Sequence, residues 1–371
     1  MSTITLAWHG LDLNVDGYNV YRSDSPMDPN NLPSPIASVG PNIGSYDDSN
    51  VVHQNGYYYR VGVIKGESET VGPEQKFFAV STTIISVSNS GDVKAISTEG
   101  EEIWSFADPS GNVSHIAHHP ETDYFYIRGG NYIKRFNFSR EELSNPRPVS
   151  GVYSLSTDRF GTYYVGRNNS TFQRIDIDGN STLSHSAGVY WVRAIQSAPN
   201  GDIYYSGSPA KSSADFGDNT LIKLDSDGNR LWKKENFNDS IQAINLDKNG
   251  NLYAGTSSYL NKINPDTGDI IWALSDVKSI EEIDFNKDGF IYVAGGYREK
   301  TIRKVDPEGN LVWVFRGHTD RVVGVAVDQS TGYIYSSSND NTVKKIDTNG
   351  NEVWTFSGHT NIVNSVIVFK N

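Results

Sequence analysis

One phrase returns along this chain and limits what it can fold into. A strand-like run ends in basic, apolar and acidic or amide residues; a tight turn follows, usually with Gly, then a second run that often carries Trp. The last copy is VKKID TNGNEVW, and the others include IRKVD PEGNLVW, LNKIN PDTGDIIW, LIKLD SDGNRLW, FQRID IDGNSTL, IKRFN and VKAIS TEGEEIW. Their first runs end at Ser97, Asn137, Asp176, Asp225, Asn264, Asp306 and Asp347, at intervals of 40, 39, 49, 39, 42 and 41 residues. A unit this short cannot bury its apolar face alone and must stack against its neighbours.

A period near 40 suits a four-stranded antiparallel blade of a β-propeller, and seven copies predict seven blades. Between copies lie two more runs, as in Ile241–Leu246 and Leu252–Gly255, and the turns of the unit read DKNG, NKDG or DTNG. Asp, Asn and Gly tolerate the positive φ that tight hairpin turns require. Trp104, Trp232, Trp272, Trp313 and Trp354 recur at one place in the unit, which predicts packing between adjacent twisted sheets. The first unit, Ile84 to Trp104, lacks its innermost run, while Val363–Phe369 is one run too many. Pairing Val363–Phe369 with Ile84–Ser88 would complete that blade and remove an open edge.

Residues 1–79 lack the phrase, so two domains are expected, 1–79 and 80–371. No long run has apolar residues at helical spacing, and the fold class predicted is all-β. The net charge is −12, with no basic run in either part, which argues against nucleic-acid binding. Cysteine is absent, which excludes disulfides, thiolate metal sites and a cysteine nucleophile. No run of 18 apolar residues argues for membrane insertion, and MSTITLAWHG has neither the basic nor the apolar part of a secretory leader, so export by that route is not expected.

Several stretches resemble known families. Arg316-Gly317-His318-Thr319-Asp320 and Ser357-Gly358-His359-Thr360 resemble the Gly-His of WD repeats, and Ser336 to Thr342 resembles their Ser/Asp-rich turn. The resemblance implies a hydrogen bond between His318 and Asp340. It departs where the family has Trp-Asp, because Ile346-Asp347 stands there, and opposite His359 is Ser90 in place of Asp. Asn264 to Trp272 resembles the repeat of quinone-dependent dehydrogenases. With seven units and no cysteine, that likeness is read as blade packing, and no cofactor is expected.

Residues 1–79 resemble a short fibronectin type III domain, through Trp8, Gly17-Tyr-Asn-Val-Tyr-Arg22 and Tyr57-Tyr-Tyr-Arg-Val-Gly-Val63. Tyr57, Tyr59, Val61 and Val63 share strand parity and should face its core, with Tyr57 placed for a tyrosine corner. The two-module layout resembles accessory proteins of tailed-bacteriophage virions. It implies a virion protein assembled in host cytoplasm, on tail, baseplate or capsid, that joins other virion proteins through the fibronectin-like domain. Its propeller would contact a host-surface glycan or protein.

No motif for nucleophilic, metal-assisted or phosphate chemistry is present, so a non-enzymatic binding protein is expected. Asp225-Ser-Asp227-Gly-Asn229 and Asp176-Ile-Asp178-Gly-Asn180 lack the distal glutamate of a calcium loop and are read as turns. His115, His118 and His119 are read as a surface turn and strand end, not a metal site. For binding, the candidates are Tyr190, Trp191, Arg193, Phe216 and Arg321, near breaks in the period, where an aromatic ring and a guanidinium could meet a sugar or protein. The competing assignment for Trp191 is packing between blades. The alternative function is a bacterial propeller that binds protein or glycan outside any virion.

Overall fold

The computed structural model describes residues 2–8, 15–41, 43–51, 56–78, 82–109, 111–118, 124–143, 147–158, 160–187, 189, 191–208, 219–237, 239–296 and 299–370. Those residues form strands and turns, with no helix among them. The chain divides into two compact units, 1–82 with 370–371, and 83–369.

In the smaller unit, Ser2–Ala7 pairs with Ser45–Val51. A second sheet runs in the order Ala37–Val39, Gly17–Ser23, Gly56–Lys65, Ser68–Val71, with Gln75–Phe78 also on Gly56–Lys65. Ile4, Leu6, Val20, Val51, Tyr57 and Tyr59 form the core, with Trp8 packed against it. Val61 and Val63 are only half-buried. Beneath the core the carboxylate of Asp48 is buried. It is paid for by three donors, the Tyr59 hydroxyl and Arg22 Nη1 at 2.8 Å and the Asn50 N–H at 3.0 Å, and the Arg22 guanidinium also lies over Tyr57.

The described residues of the larger unit form seven four-stranded sheets, an arrangement that fits a β-propeller. Six are built from consecutive strands, and their first strands are Val113–His118, Val152–Thr157, Trp191–Ser197, Ile241–Leu246, Ile280–Phe285 and Val322–Val327. From Val113–His118 onward, each first strand packs on the next. In the first sheet, the order is Glu102–Ala107, Asp92–Ile96, Thr82–Ser88, Val363–Lys370. The last strand of the chain is thus the inner strand of the first sheet. Val363 and Val366 share a core with Ala326 of the seventh sheet, and Phe369 shares one with Val113 and Phe125 of the second.

Burial follows from this stacking. Second strands such as Leu252–Thr256, Ile291–Gly295 and Ile334–Ser338 are buried at every residue because sheets cover both their faces. Fourth strands are edges and keep exposed residues, as in Glu352–Phe356. Among the described residues, the outer strand of the second sheet is Arg147–Pro148.

The recurring phrase is an inter-sheet lock. The polar residue at the end of the third strand folds its own turn: Asp347 Oδ1 accepts from the N–H groups of Asn349 and Asn351, and Gly350 sits at φ 90°. Asp176 and Asp225 do the same work, so their carboxylates serve turns. This geometry aims a turn carbonyl at the preceding sheet. Trp232 Nε1 donates to Pro265 O at 3.1 Å, Trp313 Nε1 to Thr348 O at 3.1 Å, and Trp354 Nε1 to Thr98 O at 2.9 Å. The basic residue of the phrase grips the same turns, as Lys304 does at Thr348 O and Lys345 at Thr98 O. A Cβ on Gly309 would come within 3.1 Å of the Trp272 ring, so the ring needs glycine beneath it. Trp104 packs edge-on to Phe138 in the second sheet's turn. In the third sheet Leu183 takes the Trp place, over Gly228.

Removing residues 362–371 would expose the inner edge of Thr82–Ser88 and forfeit the burial of Val363, Val366 and Phe369. At about 1.5–3 kcal/mol for each apolar side chain, the loss is roughly 5–9 kcal/mol, comparable with the whole stability of a domain. The truncated chain should lose its cooperative thermal transition by circular dichroism and aggregate on gel filtration. A sharp melt at the parent temperature would refute this role.

Candidate functional site

Every complete first strand breaks its register at the same place. The pairing shifts between Val113 and His115, Val152 and Ser154, Val192 and Ala194, Ile241 and Ala243, Ile280 and Glu282, and Val322 and Gly324. In each, a buried β-branched residue precedes one extra residue: Ser114, Tyr153, Arg193, Gln242, Glu281 or Val323. A bulge bends the strand and redirects the extra side chain. The same device repeated in neighbouring sheets places these side chains at corresponding positions near the beginnings of the first strands.

There they make contact across sheets. Tyr153 stacks on Trp191, with ring centroids 5.8 Å apart and planes 14° from parallel. The Arg193 guanidinium lies 5.6 Å from the centre of the Trp191 ring, and its Nη1 donates to Gln242 Oε1 at 3.2 Å. Farther along, Arg321 forms a bidentate pair with Glu281, its Nε reaching Oε1 at 3.1 Å. Tyr153 is 43% exposed, and the Arg321 side chain 38% exposed, so the row is open to solvent.

Of the five binding residues expected from sequence, the structure brings Trp191 and Arg193 together and places Arg321 at the start of a first strand three sheets away. Tyr190 and Phe216 lie outside the described residues. Trp191 does pack between sheets, against Tyr153, and also supports Arg193. Sequence reasoning missed Tyr153, Gln242 and Glu281. Their signal was positional: each follows the β-branched residue that opens a first strand.

Below this row, polar side chains complete the backbone of neighbouring edges. An inner strand has unpaired N–H and C=O groups along one side. Ser154 Oγ donates to Val192 O, Asn245 Nδ2 to Ile283 O, and Asn364 Nδ2 to Val113 O. Where the neighbour offers N–H groups, the residues are acids: Glu282 Oε2 accepts from Val325 N at 3.0 Å and Asp284 Oδ2 from Val327 N at 2.8 Å. Gly324 gives them room, since a Cβ there would lie 3.3 Å from Glu282 Oε2 and 2.3 Å from Ser337 Oγ.

Burial raises the Glu282 pKa to about 8, against the Val325 N–H and with help from the Asp284 charge. It raises that of Asp284 to about 7, against two backbone N–H donors. Both side chains retain some accessible surface, so water can reach groups that lie deep among protein atoms. His115 is part of a first strand and not a surface turn, and burial, then Arg128, lowers its pKa to about 4. His118 ends that strand against Phe369, while His119 is outside the described residues. No cluster of three potential metal ligands occurs among the described residues.

A second network joins the sixth and seventh sheets. His318 Nδ1 lies 2.8 Å from Asp340 Oδ2, and its Nε2 lies 2.8 Å from Ser336 Oγ. Asp340 also accepts from Thr319 N and Thr342 Oγ1. Burial pushes its carboxyl up, but His318, Thr342 and the Thr319 N–H outweigh it and hold the pKa well below the usual range. The sequel in the first sheet is incomplete. His359 Nε2 meets Ser86 Oγ at 2.8 Å, but its buried Nδ1 has no partner, and burial, then Lys94, lowers its pKa to about 4.

Comparison with known proteins agrees with this local pattern. Residues 309–347, which contain His318 and Asp340, match the WD domain, G-beta repeat. The fold is similar to the crystal structure of the computationally designed Ika8 protein, at 16% identity and a TM-score of 0.56, over 76% of this chain and 86% of that one. No curated protein matches the sequence. Some 1118 chains of solved structures match the fold, so architecture alone selects no function.

Two predictions follow from the polar interior. Glu282 and Asp284 have pKa values above their unfolded ones, so the folded chain holds extra protons between about pH 4 and 8 and loses stability as pH rises through that window. The double variant Glu282→Gln, Asp284→Asn keeps an acceptor at each site. It should melt at least about 3 °C above the parent at pH 8.5 and no higher at pH 4. An equal difference at both pH values would sink the linkage. Asp340→Ala, which leaves buried donors without an acceptor, should cost about 1–3 kcal/mol in urea unfolding. A change within error would show that the network contributes nothing.

Proposed function

We propose that this protein is a non-enzymatic protein-interaction module, a seven-bladed propeller carried with a fibronectin type III-like sandwich. The observation that carries the reading is the solvent-open row Tyr153–Trp191–Arg193–Gln242, held in place by bulges on neighbouring first strands. Rigid aromatic rings beside a guanidinium are the groups that dominate binding energy at protein interfaces. The WD-type match in the sixth and seventh sheets supports the interaction class. Seven four-stranded sheets with successive first-strand contacts support the ring. For the smaller unit, the support is two facing families of strands around Tyr57, Tyr59 and Trp8.

The narrower form of the proposal places the protein on a tailed-bacteriophage virion, with the small unit joined to other virion proteins and the propeller meeting a host-surface protein or glycan. Its support is the resemblance in layout and phrasing noted above. A photo-crosslinking residue at position 153, introduced in the source system, should yield one adduct identifiable by mass spectrometry. Arg193→Ala should reduce that adduct at least about tenfold, while a crosslinker at Ile103, on an outer strand, should not capture the same protein. Equal capture from both positions would refute the binding row. Immunogold labelling of particles from the source lysate tests the virion form: label at a fixed place supports it, and unlabelled intact particles refute it.

A further inference from the structure

Between the fourth and fifth sheets lies a cleft of about 270 Å³, and the repeat itself explains why it is empty. Six residues separate Phe315 from Val322, and six separate Phe356 from Val363, and each connection carries a Gly-His that fills the gap between sheets. Only three residues separate Phe237 from Ile241, and the histidine is missing.

The facing wall has changed too. In the seventh sheet, Lys344 Nζ spans to Glu352 Oε2 at 3.0 Å and Thr355 Oγ1 at 2.6 Å, beside the His318 connection. Strand register places Asn261, Ile270 and Ala273 of the fifth sheet at those three positions. Two plugs present beside the seventh sheet, an imidazole and a lysine ion pair, therefore have no counterpart in this gap.

What remains in the cleft is a set of acceptors beside aromatic rings. Asn261 is 4% exposed and its Nδ2 donates to Ala254 O, while its Oδ1 accepts no hydrogen bond from the described residues. Asp239 is held by Ser240 N at Oδ1 and Ser258 Oγ at Oδ2, and has no ion-pair partner among the described residues. Thr256, Tyr259 and Phe237 also line it, and none of its described lining residues is a cation. An amide oxygen of a buried residue and a half-buried carboxylate without a countercharge suit a cationic donor.

We propose that this cleft receives an arginine side chain of a partner protein. A guanidinium is planar, as is the imidazole that fills the corresponding gap beside the seventh sheet. It donates N–H groups around its edge, which matches Asn261 Oδ1 and the Asp239 carboxylate, and its faces suit the rings of Tyr259 and Phe237. An ammonium concentrates its charge and donors at one point and uses the slot less fully. The net charge of −12 also favours approach of a basic segment. The site rests on the interaction-module reading for its biological use, but not for its chemistry.

The test titrates full-length protein with Nα-acetyl-arginine methylamide, followed by amide and side-chain NMR. The controls are the corresponding citrulline and lysine derivatives. The arginine compound should give saturable shifts at the Asn261 side-chain amide and the Tyr259 backbone, and citrulline, its neutral isostere, should bind at least about tenfold more weakly. Asp239→Asn should weaken arginine binding by a similar factor without lowering Tm. Asn261→Lys, which restores the plug, should abolish binding; if that variant unfolds, Ala273→Leu serves as the filling variant. No saturable shift, or equal affinity for citrulline, would overturn the arginine site. Binding that persists while crosslinking at position 153 finds no partner would leave the cleft standing and refute the interaction row.

Discussion

The unpaired backbone along the inner edges of the sheets is the constraint on which the larger unit depends. An edge strand carries N–H and C=O groups that lose solvation when neighbouring sheets close over them. The chain meets this demand in two ways. Its last strand, Val363–Lys370, becomes the inner strand of the first sheet. Elsewhere Ser154, Asn245, Glu282, Asp284 and Asn364 reach across to the next inner strand. Serine and asparagine stand where a carbonyl needs a donor, and carboxylates where an amide needs an acceptor.

The outer half of each sheet is tied differently. The Trp, the basic residue and the Gly of the recurring phrase do not act within one unit; they act between units. A Trp Nε1 and a Lys Nζ converge on one turn carbonyl, as Trp354 and Lys345 do on Thr98 O. That shared target requires a fixed turn, which Asp and Gly supply. The repeat is kept in sequence because both sides of each interface must present the same shapes. Where the Gly-His connection and the lysine ion pair of the seventh sheet have no counterpart, a cleft opens, as between the fourth and fifth sheets.

Such a scaffold frees particular positions for binding. Because each bulge inserts one residue that the ladder does not need, Tyr153, Arg193, Gln242 and Glu281 vary in chemistry while the β-branched residues before them stay buried. The acids beneath serve backbone amides, and their raised pKa values record the cost of keeping charge in a region that water reaches only in part. Binding chemistry and structural chemistry are thus separated by one residue along the same strand.

The sequence alone was enough to read an all-β chain of repeated four-stranded units, the positions of its turns and the recurrence of its tryptophans. Those properties are local: Asp, Asn and Gly set turn conformation within four or five residues, and alternation sets strand faces. The sequence also marked Trp191 and Arg193 as neighbours, two residues apart. It did not disclose Tyr153 stacked on Trp191, Glu282 on the amide of Val325, or the space left beside Asn261. These partners are about 40 residues apart, in different units, and whether they meet depends on sheet register and on a one-residue bulge. Only the packing of one sheet on the next decides that, because a single register step turns a side chain to the opposite face of its sheet.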